Sequence, residues 1–206
     1  HQIILRNYYT WLDFENKLAF AGGIPFSNGG QVEFDRLFIG AGGQYTYAED
    51  VLNYRFRFIA GFETDFQKDD RRRFVNLASG IKGSLSMDQR EKVSSQGVYV
   101  QNEFALLEKV HLTLGARYDN VDFNVDDHFL LNNSGDDSGS SSFDRISPRA
   151  GLLWDPLEHL NVYLNYSTAF ETPTTTEFAN PDGGGFNPDL TTQKADSYEL
   201  GVKGSI

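Results

Sequence analysis

The chain has 206 residues, no cysteine and a formal net charge of −11, which excludes a disulfide framework, a thiolate metal site and a cysteine nucleophile and argues against nucleic acid, whose phosphates it would repel. Aromatic residues reach 14%, with 17 Phe and 10 Tyr, yet mean hydropathy is −0.44. No window approaches the roughly 18 consecutive apolar residues a membrane helix needs, so strands closed into a barrel are the one way such a chain can span a bilayer.

Taken in chain order, period-two alternation predicts strands over about 2–13, 36–48, 54–62, 94–106, 110–119, 144–154, 160–170 and 196–206. The cleanest run sets Leu160, Val162, Leu164, Tyr166 and Phe170 against Asn161, Tyr163, Asn165, Ser167 and Ala169. In each run one face is apolar or aromatic, and the other carries Arg, Glu, Asn, Ser and Gly. No segment has a helical period of useful length. Short connections at Ala48–Val51, Leu107–Lys109 and Asp155–His159 alternate with long polar ones at about 14–35, 67–93, 127–142 and 171–195. That alternation is the asymmetry of an outer-membrane barrel, with tight periplasmic turns and long extracellular loops. Phe and Tyr near strand ends (Tyr45, Tyr47, Phe62, Phe66, Tyr118, Phe123, Tyr166, Phe170) are expected to form interfacial girdles. The expected fold class is therefore all-β, an antiparallel transmembrane barrel segment of about eight strands. Two other architectures alternate in the same way: a complete eight-stranded outer-membrane protein with a structural or adhesive role, and a soluble β-sandwich binding module. The chain opens on His1 without an initiator Met or leader and ends on Ile206 inside an apparent strand, so it reads as a piece of something longer.

Several stretches carry a family resemblance. Ser147-Pro148-Arg149-Ala150-Gly151-Leu152 followed by Leu160 to Thr174, then Phe186-Asn187-Pro188-Asp189-Leu190 and Ser197-Tyr198-Glu199-Leu200-Gly201-Val202-Lys203-Gly204, together with Gly97-Val98-Tyr99-Val100-Gln101-Asn102-Glu103-Phe104 and Leu112 to Asp119, resemble the recurrent strand motifs of TonB-dependent receptor barrels. The match covers residues 94–206 by motif and residues 1–93 by pattern. Thr191-Thr192-Gln193 departs from the family's usual step after Asn-Pro-x-Leu. The resemblance implies that residues 1–206 form part of a barrel of about 22 strands, without its N-terminal plug, TonB box and remaining strands. It also implies energy-dependent uptake across the outer membrane of an iron–siderophore complex or similar scarce nutrient. The partners so implied are that ligand, a TonB-type energy-transducing protein acting through the plug, and outer-membrane lipid with lipopolysaccharide.

Alternation places Gly115, Gly151 and Gly201 on the lumen-facing parity, where a small residue would let another domain approach the wall. Glu103, Arg117, Arg149, Glu199 and Lys203 share that parity and would form a charged ladder. Pro148 is expected to open a strand near a rim. No enzyme, cofactor or metal site is expected. His1, His111, His128 and His159 lack ligand spacing, and Asp122, Asp126, Asp127, Asp136 and Asp137 match no calcium loop. The ligand-binding candidates are Arg71, Arg72 and Arg73, the one basic cluster in a predicted loop. Guanidinium pairs well with the carboxylates or phosphates of a ferric complex or of lipopolysaccharide.

Overall fold

The computed structural model describes residues 1–19, 30–51, 54–77, 80–130, 135–178 and 185–205. Eight strands, β1 (Gln2–Lys17), β2 (Gln31–Val51), β3 (Tyr54–Asn76), β4 (Lys82–Leu107), β5 (Val110–Asp127), β6 (Gly139–Leu157), β7 (Leu160–Glu171) and β8 (Gln193–Gly204), form one antiparallel sheet in chain order. Among the described residues β1 and β8 each pair on one side only, so the sheet is open. This sets aside both the complete eight-stranded barrel and the two-sheet sandwich.

Two faces with different solvents explain the alternation. On β3, the outward side chains run Phe56, Phe58, Ala60, Phe62, Thr64 and Phe66, and then turn charged at Lys68, Asp70 and Arg72. From Phe56 to Phe66 is 10 steps of about 3.4 Å, which at a tilt of about 45° spans roughly 24 Å, the height of a hydrocarbon band. Neighbouring strands supply Val98 and Val100, Leu112, Leu114 and Tyr118, and Ile146, Leu152 and Trp154 to the same belt, all exposed except the half-buried Leu112. Among the described residues the buried hydrophobic ones are few (Val32, Phe123, Val125 and Phe178) and lie elsewhere. A surface this apolar and exposed is explained by lipid.

The strands are longer than alternation indicated. β3 and β4 run for 23 and 26 residues, and most of the predicted 67–93 loop is paired hairpin, with only 77–81 connecting the strands. Beyond the belt both faces are polar, and the period-two signal vanishes although the ladder continues. The predicted turn at 48–51 is strand as well: Ala48 to Val51 pair with Tyr54 to Arg57, and the connecting 52–53 lies outside the described residues. The other tight turns are Glu108-Lys109 and Glu158-His159. All the long connections leave from the opposite end. Parts of them, at 20–29, 131–134 and 179–184, lie outside the described residues. Two further expectations are corrected. Phe123 faces inward instead of joining a girdle. Pro148 sits in the middle of β6, where it faces Ala116 of β5, and the β6–β7 ladder begins only at Arg149↔Ser167. Lacking an N–H, Pro148 ends the pairing on that side.

The inner glycines do not leave room for another domain; the sheet fills them itself. Tyr99 on β4 lies over Gly61 on β3 and donates its hydroxyl to Gln44 Oε1 on β2 at 3.0 Å. Tyr8 on β1 crosses Gly40 on β2 to bond Asp65 on β3. Arg149 on β6 crosses Gly115 on β5 to bond Gln101 on β4, and Arg117 on β5 crosses Gly97 on β4 to reach Glu63 on β3 at 2.7 Å. Each glycine thus lets a long side chain step over one strand and bond to the next. A Cβ at Gly61 would sit 2.5 Å from the Tyr99 ring. Gly61→Val is expected to lift Tyr99 off the wall and to lower stability by roughly 1–3 kcal/mol, as overpacking does. Thermal unfolding of the detergent-folded protein, read by loss of the compact gel band, measures this. An unchanged midpoint would show that the crossing contributes nothing.

Candidate functional site

Within the belt the inner wall is a set of self-contained polar contacts. Arg117 holds Asp119 through Nε at 2.7 and 2.9 Å and shares Glu63 with Arg6. Glu103 accepts from Gln101 at 2.7 Å and pairs with Arg57 at 3.4 Å. Glu199 accepts from Tyr163 at 3.0 Å and Asn165 at 3.2 Å, and Lys203 lies 5.3 Å over the Tyr163 ring. The five predicted ladder residues all face inward, but each pairs with its own neighbours and not with the others.

Past the belt, at the long-loop end, the inner face changes character. Arg36 on β2 grips the fully buried Asp69 on β3 through two hydrogen bonds of 2.8 and 2.6 Å, which raise its already high pKa. Arg36 and Arg71 lie 5.0 and 5.3 Å over the Phe34 ring, close enough for cation–π attraction. Glu91 on β4 is 1% exposed. Its Oε1 accepts from Gln89 at 2.6 Å and lies 3.4 Å from Arg71 Nε, while its Oε2 is buried without a hydrogen bond. Burial pushes the Arg73 guanidinium down from its ordinary pKa, and Arg71 adds to this against the pull of Glu91.

A roof covers Arg71, Arg73 and Glu91. After β7 the chain turns at Thr174, whose N–H and hydroxyl both donate to Glu177 Oε2, at 2.6 and 2.8 Å. Phe178 is then driven onto the inner wall, where it is 1% exposed. Its ring stacks on Phe186 at 4.8 Å and meets Phe123 at 5.2 Å and Phe143 at 6.2 Å. Gly139 is bare of a Cβ where the Phe186 ring sits. The Gly185 N–H donates to Asp137 Oδ1 at 2.7 Å and ties the roof to the β5–β6 connection. Beneath it is a cavity of about 110 Å³ lined by Arg71, Arg73, Gln89, Glu91, Thr175 and Thr176. The segment leaving β7 thus reaches across the wall to side chains of β3 and β4 and partly covers a polar chamber holding both signs of charge.

The predicted arginine trio is split. It lies on β3 and not in a loop: Arg71 and Arg73 face inward to the chamber, and Arg72 faces outward. Glu91, Asp69, Arg36 and Phe178 were not foreseen. Parity could have joined Asp69 to Arg71 and Arg73, but with charges on both faces the segment reads as loop. Phe178 gave no signal, since nothing local announces that a loop folds back. Of the histidines, His111 lies 3.5 Å from Asp155 near a tight turn and His1 contacts Tyr45. Of the acidic residues of 126–137, Asp127 and Asp136 serve their own loop by accepting backbone N–H groups, while Asp126 pairs with Lys92 and Asp137 with the Gly185 N–H. Among the described residues no group of His, Asp and Glu is placed to hold a metal ion.

A lipid-facing belt, a polar inner wall, tight turns at one end and a roofed charged chamber at the other define the wall of an outer-membrane receptor barrel. The chain belongs to the TonB dependent receptor-like, beta-barrel family, whose model matches residues 2–205. This is a family of transport receptors and not of enzymes. The ferrioxamine B receptor of Salmonella typhimurium is 34% identical over 121 residues, covering 58% of this chain and 15% of the relative. The unliganded ferric citrate transporter FecA superposes with a TM-score of 0.75 at 15% identity, over 97% of this chain and 29% of that one. The alcaligin outer-membrane receptor FauA from Bordetella pertussis gives 0.66 at 20% identity, over 97% and 30%. The chain thus spans under a third of each of these proteins and shares its fold with part of the two solved ones.

Two outcomes test the roof. Phe178→Ala removes its buried anchor and is expected to abolish hydrogen-exchange protection at Asn187, whose N–H bonds Phe178 O at 2.7 Å, while the thermal midpoint of the wall stays put. Retained protection would mean that the aromatic stack does not hold the roof. The Thr174 bonds hold the Glu177 carboxyl below its ordinary value of 4.5. A depressed folded pKa stabilises the turn fully above that value and progressively less as pH falls through it. Exchange at the Thr174 amide should therefore accelerate below about pH 4.5 in wild type and be insensitive to pH there, beyond the intrinsic trend, in Glu177→Gln.

Proposed function

We propose that this chain is one sector of the barrel of an energy-dependent outer-membrane receptor that imports ferric siderophores or similar scarce complexes. The observation that carries the reading is the split of each long strand. A belt of about 11 residues meets lipid, and the stretch beyond it carries inward arginines and aromatic residues beneath a roof. In this reading an N-terminal plug, its TonB box and the remaining strands belong to the same protein outside these residues. The inner-wall groups Glu103, Arg117, Arg149, Glu199 and Lys203 face the plug, and a TonB-type protein supplies the energy by pulling on it. Outer-membrane lipid and lipopolysaccharide surround the outer face.

The ligand-binding groups proposed here are Arg71 and Arg73, reached when the roof lifts. Arg72 is left out because it faces away from the lumen. The likeness to a ferrioxamine B receptor makes a hydroxamate-type ferric complex the first probe to try. The test is uptake of radioactive iron as ferrioxamine B by iron-starved cells expressing the full-length protein, with and without their TonB-type partner. Uptake that requires the partner supports the receptor reading, and equal uptake without it sinks that reading. Arg71→Gln/Arg73→Gln is expected to weaken binding at least roughly tenfold, the scale of one lost charge-assisted contact. Unchanged affinity would remove the pair from the site and leave the receptor reading in place.

A further inference from the structure

Two buried carboxylates, Asp69 and Glu91, stand directly opposite each other on β3 and β4. Like charges facing across a pair of strands destabilise it, and these two are answered unequally. The Arg36 fork holds both oxygens of Asp69, at 2.8 and 2.6 Å. Glu91 is held on one oxygen alone. Its Oε1 accepts from Gln89 at 2.6 Å and lies 3.4 Å from Arg71 Nε, and among the described residues nothing donates to Oε2. A carboxylate oxygen taken out of water without a donor is destabilising, so its retention calls for a reason. Glu91 also lines the chamber under the roof, which has a definite charge and size. The charged lining residues are Arg71, Arg73, Glu91 and Asp137, two of each sign, and Met87, Phe178 and Phe186 form an apolar side. A cavity of about 110 Å³ has room for roughly four waters at about 30 Å³ each. That is enough for the end of one arm of a ligand and far too little for a chelated ferric ion.

We propose that the chamber is a subsite for one uncharged arm of the ferric complex, an amide, and that Glu91 is the specificity-determining residue. The arm's N–H donates to Glu91 Oε2 and its carbonyl accepts from Arg71. This rests on the receptor reading and adds to it the chemistry of one end of the ligand. Charge separates the end groups that could enter. A carboxylate or phosphate pairs with Arg71 but lies against a buried anion of its own sign. An ammonium pairs with Glu91 but lies against Arg71 and Arg73. An amide brings a donor and an acceptor without a charge, so it answers Glu91 and Arg71 together and leaves the lining balanced. Cover from water sharpens the choice, because repulsion between buried charges is screened far less than between exposed ones. The apolar side of the chamber suits the methyl or methylene groups that flank such an amide.

The test is isothermal titration calorimetry of the full-length receptor in mild detergent with ferric trihydroxamates that share one core and differ in a single arm, ended by an acetamide, a primary ammonium or a carboxylate. Wild type is expected to bind the acetamide arm about tenfold more tightly than either charged arm, the scale of one charge-assisted contact. Glu91→Gln removes the repelling charge and should bring the carboxylate arm level with the acetamide arm or above it. Glu91→Asp keeps the charge and should still disfavour the carboxylate. A merely structural role for Glu91 would weaken all three complexes alike and leave their order unchanged. Wild type that binds the carboxylate arm as tightly as the acetamide arm overturns the subsite, whether or not any variant folds. Iron uptake that needs the TonB-type partner would in that case leave the receptor reading standing, whereas failure of all three complexes to bind, with no partner-dependent uptake, overturns both.

Discussion

A bilayer interior has no water to satisfy a backbone N–H or C=O, so every strand crossing it must be paired along its whole height. Nearly everything else in this chain follows from that requirement. It demands strand pairing from β1 through to β8, interrupted between β6 and β7 above Arg149, and, with one face in lipid, a side-chain period of two wherever the chain is in the membrane. It also explains why large apolar side chains stand exposed on strands paired on both sides, Phe62, Val98 and Ile146 among them.

The same requirement leaves the inner face to be organised by other means. That face has no hydrophobic core to pack against, and its order comes from polar side chains lying flat. Tyr8, Tyr99, Arg117 and Arg149 each need a path across the strand next door, and a glycine on that strand supplies it. These glycines are in extended backbone, and their function is clearance. Three-strand contacts of this kind tie each strand to its second neighbour on a face that has no hydrophobic core.

Much of this was legible in the amino-acid sequence, and the parts that were not share a physical cause. Inside the belt the solvent differs between faces, so Phe56 to Phe66 and Leu160 to Phe170 announce strand, face and span together. Above it both faces meet water, the alternation loses contrast, and residues 67–76 and 82–93 read as loop though they form the longest hairpin in the sheet. That error also turned Arg71, Arg72 and Arg73 into a loop cluster, when a strand necessarily sends the middle residue to the opposite side. The glycines were assigned correctly to the inner face but given the wrong occupant, because a sequence shows which side a residue faces and not what lies over it. The roof could not be foreseen at all: Phe178 meets Phe123 and Phe143 through contacts between segments far apart in the chain.

Pro148 gives the wall a mechanical grain. The β5–β6 ladder holds 16 paired positions and the β6–β7 ladder 7, because the proline stops pairing half-way up β6. Load along the strands is shared broadly on one side of β6 and carried by a short bonded stretch on the other, which makes the β6–β7 boundary the compliant seam of the sector. The roof crosses above that seam, leaving from β7 and gripping Phe143 and Gly139 on β6. It therefore acts as a tie-beam as well as a cover, and any movement that frees it also slackens the joint between the two strands beneath.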